Sequence, residues 1–261
     1  LSTDLTPLWD APATAEFWPQ DYQRTLLAQV DSTMAEARRM APQASGSTWI
    51  MAQEQKAATG RRGRPWSQPK GNFAATLLLR VNDDPAQAAL RSFSMAVALR
   101  QTLAMSVPPE QLSLKWPNDV LLAGGKVAGI LLEAIGQGGR VDWVSIGVGV
   151  NLVAAPPLDQ VEDGAFRPVA VADYGTPPSP QDFLFWLASH FGHQERLFKE
   201  FGFGPIRRLW LHDAARLGET ITARLPNEEI TGRFETVDEN GYLVLTTAKG
   251  ARAIAAADVY F

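Results

Sequence analysis

The chain has 261 residues, 46% hydrophobic and 20% charged, which is enough for one large domain with a small companion. A formal net charge of -4 argues against a dedicated nucleic-acid binder, and the lack of any cysteine excludes disulfides, thiolate metal sites and cysteine nucleophiles. No apolar run nears the ~20 residues of a membrane helix and no secretory signal pattern opens the chain, so a cytoplasmic protein away from membranes is expected.

Residues 1–20, rich in Pro, Ala and Thr, read as an irregular arm. Thr33 and Glu36 stand at capping-box spacing, so a short helix is expected to open at Asp31-Ser32-Thr33 and run to Met40. Thr48–Gln53 and Phe73–Arg80 read as strands. Between them, Lys56 to Gly71 holds five basic residues and no acidic one, centred on Gly60-Arg61-Arg62-Gly63-Arg64-Pro65-Trp66. A cationic loop in an acidic protein suggests a local anion. Its two glycines permit close backbone approach and positive φ, its arginines offer forked donors, and Trp66 supplies an apolar anchor. The loop alone also fits a solvated basic surface.

Gln87–Ala104 reads as an amphipathic helix with Leu90, Phe93, Val97 and Leu103 on or near one face. Leu112–Trp116, Lys126–Glu133 and Trp143–Leu152 read as strands, with a tight turn at Gly124-Gly125. Residues 154–180 form a proline-rich ordered excursion, and Gln181–Phe201 is the second long helix, with a shorter one from Pro205 to about Ala215. Thr220–Leu225, Ile230–Val237, Tyr242–Thr246 and Ala251–Ala255 are short strands separated by turn signals. They predict a small β-barrel of SH3-like size after a boundary near Ala215–Gly218.

Three further segments carry chemistry. Lys115-Trp116-Pro117-Asn118-Asp119 offers a lysine, an amide and a carboxylate that could serve phosphate and Mg²⁺, or simply a turn. Lys126 opens an apolar strand, where a lysine either meets an anion or snorkels outward. Gly147-Val148-Gly149-Val150-Asn151 lacks the third glycine of a dinucleotide fingerprint, and Pro156-Pro157 follows where a helix should start. The remaining reading is a strand end closely approached by a ligand. No P-loop, His-Glu-x-x-His or Gly-x-Ser-x-Gly occurs, and His190 and His193 read as a helix-surface pair.

In order and spacing, Asp31-Ser32-Thr33, the Gln55 to Trp66 loop, Lys115–Asp119, Lys126–Leu131 and Gly147–Asn151 resemble the biotin protein ligases, in the group without an N-terminal DNA-binding domain. The resemblance implies an α+β fold: a mixed sheet with helices packed on one side (residues 1–215), then an SH3-like domain (216–261). It implies attack of biotin's carboxylate on the α-phosphate of Mg·ATP, then transfer from biotinyl-5'-AMP to a lysine. The partner is a biotin carboxyl carrier protein of acetyl-CoA carboxylase type, with no DNA, no membrane, and a homodimer left open.

By the same resemblance Lys126 and Arg61 are catalytic. Ser32, Thr33, Gln55, Thr59, Gly60, Arg61, Trp66, Lys126 and Gly129 bind biotin, and Gly129 leaves room for it. Arg64, Lys115, Asn118 and Asn151 serve ATP phosphates, and Asp119 is the candidate Mg²⁺ ligand. The family loop usually reads Gly-Arg-Gly-Arg where this chain has Ala58-Thr59-Gly60-Arg61, which questions how tightly the loop closes. Met34 replaces a residue that is often polar. The rival readings are a lipoate/octanoate–protein ligase, whose Arg-Arg-x-Ser-Gly-Gly-Gly segment is absent, and a non-catalytic biotin- or nucleotide-binding relative. An RNA-binding protein using the loop as a phosphate clamp is disfavoured by net charge and by the lack of interleaved aromatics.

Overall fold

Seven strands build the larger sheet in the computed structural model, which describes residues 18–157 and 166–261. Most of the expected N-terminal arm and the middle of the 154–180 excursion lie outside the described residues. The strands are β1 (Gln23–Val30), β2 (Thr48–Gln55), β3 (Phe73–Asp83), β4 (Leu112–Lys115), β5 (Asp119–Leu122), β6 (Gly125–Ile135) and β7 (Val141–Val150). Their spatial order is β1-β2-β3-β7-β6-β5-β4. β1 and β2 run parallel and every other neighbouring pair is antiparallel, so the sheet is mixed. The parallel pair needs a crossover, which α1 (Thr33–Met40) supplies.

Alternation along the strands sends side chains to two different cores. Trp49 and Met51 of β2, with Phe73, Ala75, Leu77 and Leu79 of β3, enter the main core under the long helices. Ile50, Ala52 and Leu78 face the other way and pack with Ala37 of α1. The long helices thus share one face, and α1 covers part of the other. They are α3 (Arg91–Leu103) and α4 (Pro180–Phe201), followed by α5 (Phe203–His212). Ser179 caps α4 by accepting from Asp182 N, with Pro180 at its first position.

The helix expected from Gln87 to Ala104 is two. A short α2 (Pro85–Ala89), capped by Asp84, ends at Leu90, and α3 starts afresh at Arg91. The break puts the Arg91 guanidinium in the interior, between Asp83 and Glu195 and 4.1 Å from the Phe198 ring centre.

All strands after Thr220 belong to a second antiparallel sheet: β8 (Thr220–Arg224), β9 (Glu229–Val237), β10 (Leu243–Thr247), β11 (Gly250–Ile254) and β12 (Asp258–Tyr260), in the order β11-β10-β9-β8-β12. It is the expected small SH3-like unit, with one strand more than the four read from sequence. It docks firmly: Trp116 Nε1 donates to Gly241 O at 3.0 Å. Gly241 has φ 79°, and a Cβ there would stand 2.8 Å from the Phe93 ring. Phe93 in turn meets Phe203 and Trp210 edge-on at 5.2 and 5.4 Å, contacts each worth ~0.5–1.5 kcal/mol beyond area burial.

Candidate active site

A cavity of about 590 Å³ opens on the α1 face of the larger sheet, and every site residue expected from the sequence lines it. Its floor follows from strand periodicity. In Gly147-Val148-Gly149-Val150 the two valines enter the main core, so the two glycines face the cavity. Both glycine positions are filled from above. A Cβ on Gly147 would lie 2.8 Å from Met34 Sδ, and one on Gly149 would lie 2.4 Å from Trp66 Cε2. Met34 is therefore a packing residue, and Trp66 lies flat against the strand. Gly129, paired with Gly149 across β6 and β7, is less tightly covered: a Cβ there would be 3.4 Å from Trp66 and 3.5 Å from Lys126 Cε. Gly129 lines the cavity beside these two side chains.

One end of the cavity is a neutral hydrogen-bonding cluster. Thr33 N and Oγ1 both donate to Gln55 Oε1, at 2.8 and 3.1 Å, while Thr33 Oγ1 accepts from fully buried Thr76 at 2.8 Å. Gln55 Nε2 donates to Gln68 Oε1 at 2.9 Å, and Gln68 is tied back to Ala52 O. The helix cap that holds Thr33 is Ser32, one residue earlier than the predicted box, accepting from Met34 N. Glu36 pairs instead with Arg39. Asp31 fixes the entry: its carboxylate accepts from Ser32 N, and the Arg39 guanidinium holds its pKa down at about 2.

The other end is charged. Asp119 opens β5 opposite Lys115, and its carboxylate meets Lys126 Nζ at 2.7 Å and Lys115 Nζ at 3.7 Å. Burial pulls the Lys115 ammonium below its ordinary value, with Asp119 opposing, and the Phe166 ring lies 4.7 Å from its Nζ. A paired carboxylate of this kind contributes orientation more than net stability. Asn118 donates to Ile130 O and accepts from Arg61 Nη1 at 3.4 Å. Asn151 is buried and donates to Val169 O at 3.1 Å.

Asp119 thus stands as the counter-ion of two lysines, where the sequence suggested a metal ligand. Among the described residues no three His, Cys, Asp or Glu side chains converge. The described residues alone therefore form no resident metal site. His190 is also accounted for, sharing a hydrogen bond with Thr102 Oγ1 at 2.9 Å.

The basic loop closes on itself over the cavity. Thr59 bridges to Pro65, Gly60 N donates to Arg64 O at 2.7 Å, and Trp66 N donates to Ala58 O at 2.9 Å. Ala58 and Thr59 are not among the positive-φ residues, so neither position needs glycine. Gly60 is extended (φ -95°, ψ -162°), contrary to expectation, while Gly63 has φ 73°. The left-handed residue beside it is Arg62, at φ 57° and ψ 24°, a conformation costing a residue with a Cβ ~1–2 kcal/mol. Its Nη1 reaches Asp258 Oδ2 of β12 at 2.6 Å.

Sequence reasoning missed Gln68, Thr76, Gly149 as Trp66's seat, and Asp258. Gln68 lay inside the basic stretch and could have been weighed with Gln55. The other three acquire meaning only through strand pairing and docking.

Two family descriptions match the chain: the biotin/lipoate A/B protein ligase family over residues 26–151 and the biotin protein ligase C terminal domain over residues 217–261. The chain is 49% identical over 238 residues to a biotin--[acetyl-CoA-carboxylase] ligase of Paracoccus denitrificans, covering 90% of this chain and 99% of that protein. It is 31% identical to the bifunctional ligase/repressor BirA of Bacillus subtilis, covering 88% of this chain and 71% of that protein. Among solved structures, a biotin protein ligase from Aquifex aeolicus in complex with biotin and ATP shares the fold with TM-score 0.74 at 23% identity, over 91% of this chain and 97% of that one.

Proposed function

This chain belongs to the biotin/lipoate A/B protein ligase family, and from that membership we propose its reaction in terms of its own residues. It is a biotin–[acetyl-CoA-carboxylase] ligase: it joins biotin to a lysine of a biotin carboxyl carrier protein at the expense of ATP. A carboxylate oxygen of biotin attacks the α-phosphorus, the bond to pyrophosphate breaks, and biotinyl-5'-AMP forms. The neutral ε-amine of the carrier lysine then attacks the acyl carbon, AMP leaves, and the amine proton passes to solvent. Neither step needs a nucleophile from the enzyme.

The first step brings two anions together, so it needs preorganised positive charge. The observation that carries the reading is the Lys126–Asp119–Lys115 triad at one end of a cavity whose other end is the Thr33–Gln55 cluster. Lys126 contacts the biotin carboxylate and the α-phosphate, and Asp119 aims it. Arg61, Arg64, Lys115, Asn118 and Asn151 bind phosphates. Ser32, Thr33 and Gln55 bind biotin's ureido and neighbouring groups, and Thr59 and Gly60 offer backbone contacts. Trp66 and Gly129 form the wall and floor, and the loop keeps water from the adenylate. Residues 1–215 act as the catalytic unit and 216–261 as the C-terminal unit. We place the protein in the cytoplasm, and β1, at one end of the larger sheet, is the edge that a homodimer would use.

Incubation with ATP, Mg²⁺, biotin and a carrier domain tests the reading by carrier mass. A biotin-sized gain is expected; none, beside a working ligase, overturns it. Lipoate in place of biotin should give no adduct.

A further inference from the structure

Asp258 lies 196 residues from Arg62 in sequence, yet its carboxylate gathers all three arginines of the loop. Arg62 Nη1 is 2.6 Å away, Arg64 Nη2 3.6 Å and Arg61 Nη1 3.9 Å, and the carboxylate is only 15% exposed. Its position is fixed by β12, where Asp258 pairs with Arg224 of β8 and the next residue, Val259, is buried at 3% exposure. A carboxylate at the rim of a cavity meant for a carboxylate and a triphosphate is unfavourable there unless cations cover it. Three guanidiniums crowded on one short loop likewise repel each other unless an anion stands between them.

The arginines divide the work. Arg61 also reaches Asn118 and lines the cavity, so it is aimed at the ligand. Arg62 is half-exposed, makes the shortest contact to Asp258, and holds the strained left-handed backbone that turns the loop. We propose that the Arg62–Asp258 pair is a latch through which the C-terminal sheet holds the basic loop closed, with Asp258 a positioning residue for Arg61. On nucleotide binding, Arg61 and Arg64 exchange this carboxylate for phosphate oxygens while Arg62 stays.

This rests on the proposed function, and one arm of its test does not. Asp258→Asn, Asp258→Glu, Arg62→Ala and the Arg62→Ala/Asp258→Asn double variant are compared with the wild type. Asp258→Asn is expected to raise the KM for ATP and shorten the half-life of bound biotinyl-adenylate, each roughly tenfold, a half-exposed partner tempering the loss. Affinity for biotin alone should fall by less than the KM for ATP rises, because its Thr33–Gln55 contacts lie off the loop. Asp258→Glu should recover most of the loss, and the double variant should be no worse than the more impaired single one. A multiplicative double loss, or unchanged KM and adenylate half-life in Asp258→Asn, overturns the latch. If Asp258→Asn fails to fold, Arg62→Ala carries the same readings. The independent arm is trypsin cleavage after Arg61 and Arg62 in the full chain without substrates. Faster cleavage of Asp258→Asn supports the latch and an unchanged rate overturns it, even if the wild type releases no pyrophosphate and the proposed function fails.

Discussion

Gly149→Ala tests how the cavity floor is built. Gly149 pairs with Ala74 of β3 on one side and Gly129 of β6 on the other, so its backbone is held from both edges. An added methyl would stand 2.4 Å from Trp66 Cε2 and 2.6 Å from Cζ2 and Nε1. Carbon contacts settle near ~3.5–4.0 Å, so the ring must retreat by about 1 Å or more. Trp66 is only partly buried, and the retreat is into the cavity, space that the ligand needs. Overpacking of this kind costs ~1–3 kcal/mol, and at ~1.4 kcal/mol per factor of ten this predicts a roughly 5- to 150-fold faster loss of bound biotinyl-adenylate. The melting temperature should hardly change, since the strain is released outward. Gly129→Ala, on the same rung, meets Trp66 only at 3.4 Å and should stay within about threefold of wild type. The assay is the half-life of labelled adenylate under an unlabelled chase, with tryptophan fluorescence reporting the ring. Equal behaviour of the two alanine variants refutes the seat assigned to Trp66.

Lys126→Ala should cut biotin-dependent pyrophosphate release by roughly 10²-fold while leaving the fold intact; near wild-type release would show that another lysine meets the reacting groups. Arg61→Gly should release adenylate faster with little change in thermal stability, and an unaltered adenylate lifetime would remove its role over the cavity. Burial, helped by His193, lowers the pKa of His190 below its ordinary 6.5. The folded state therefore binds fewer protons than the unfolded one between the folded pKa and 6.5. Its contribution to stability is complete above 6.5 and is lost as pH falls through the folded pKa. An imidazole titration by NMR with its midpoint at or above 6.5 would contradict this.

What the sequence revealed divides along local and non-local lines. β6 and β7 were legible because their runs are long and bounded by turns, and α4 because its apolar positions recur with helical spacing. β1 was not, because only Leu27 and Val30 of its eight residues are fully buried and its alternation is blunted. β5 and β12, of four and three residues, are held by pairing with neighbours more than by propensity. The split between α2 and α3 carries no Pro or Gly signal at Leu90; it is visible only once Asp83 and Glu195 are seen around Arg91. In the site, charge and motif spacing pointed to Lys115, Asp119 and Lys126, but not to the fact that one carboxylate serves both lysines. Asp258 could not be found from local pattern, since nothing in Ala256-Ala257-Asp258 hints at three arginines from a loop at the other end of the chain.

The charge balance of the cavity explains why the C-terminal sheet belongs to the chemistry. Among the described residues, Arg61, Arg64, Lys115 and Lys126 line it together with the carboxylates of Asp119 and Asp258, in a protein whose overall charge is -4. Each carboxylate serves cations from different segments: Asp119 joins the lysines of β4 and β6, and Asp258 joins the arginines of the loop. Without ligand, the two anions keep like charges from driving the segments apart. With ligand, phosphate and carboxylate oxygens take over part of that role in a site where dielectric screening is weak. The cavity is thus already shaped for two negatively charged reactants, and the reorganisation left for binding is a change of partner at Arg61 and Arg64. An enzyme that must bring a carboxylate to a phosphate without a nucleophile of its own depends on this preorganisation. Part of the counter-charge that maintains it, the Asp258 carboxylate, is supplied by the smaller sheet.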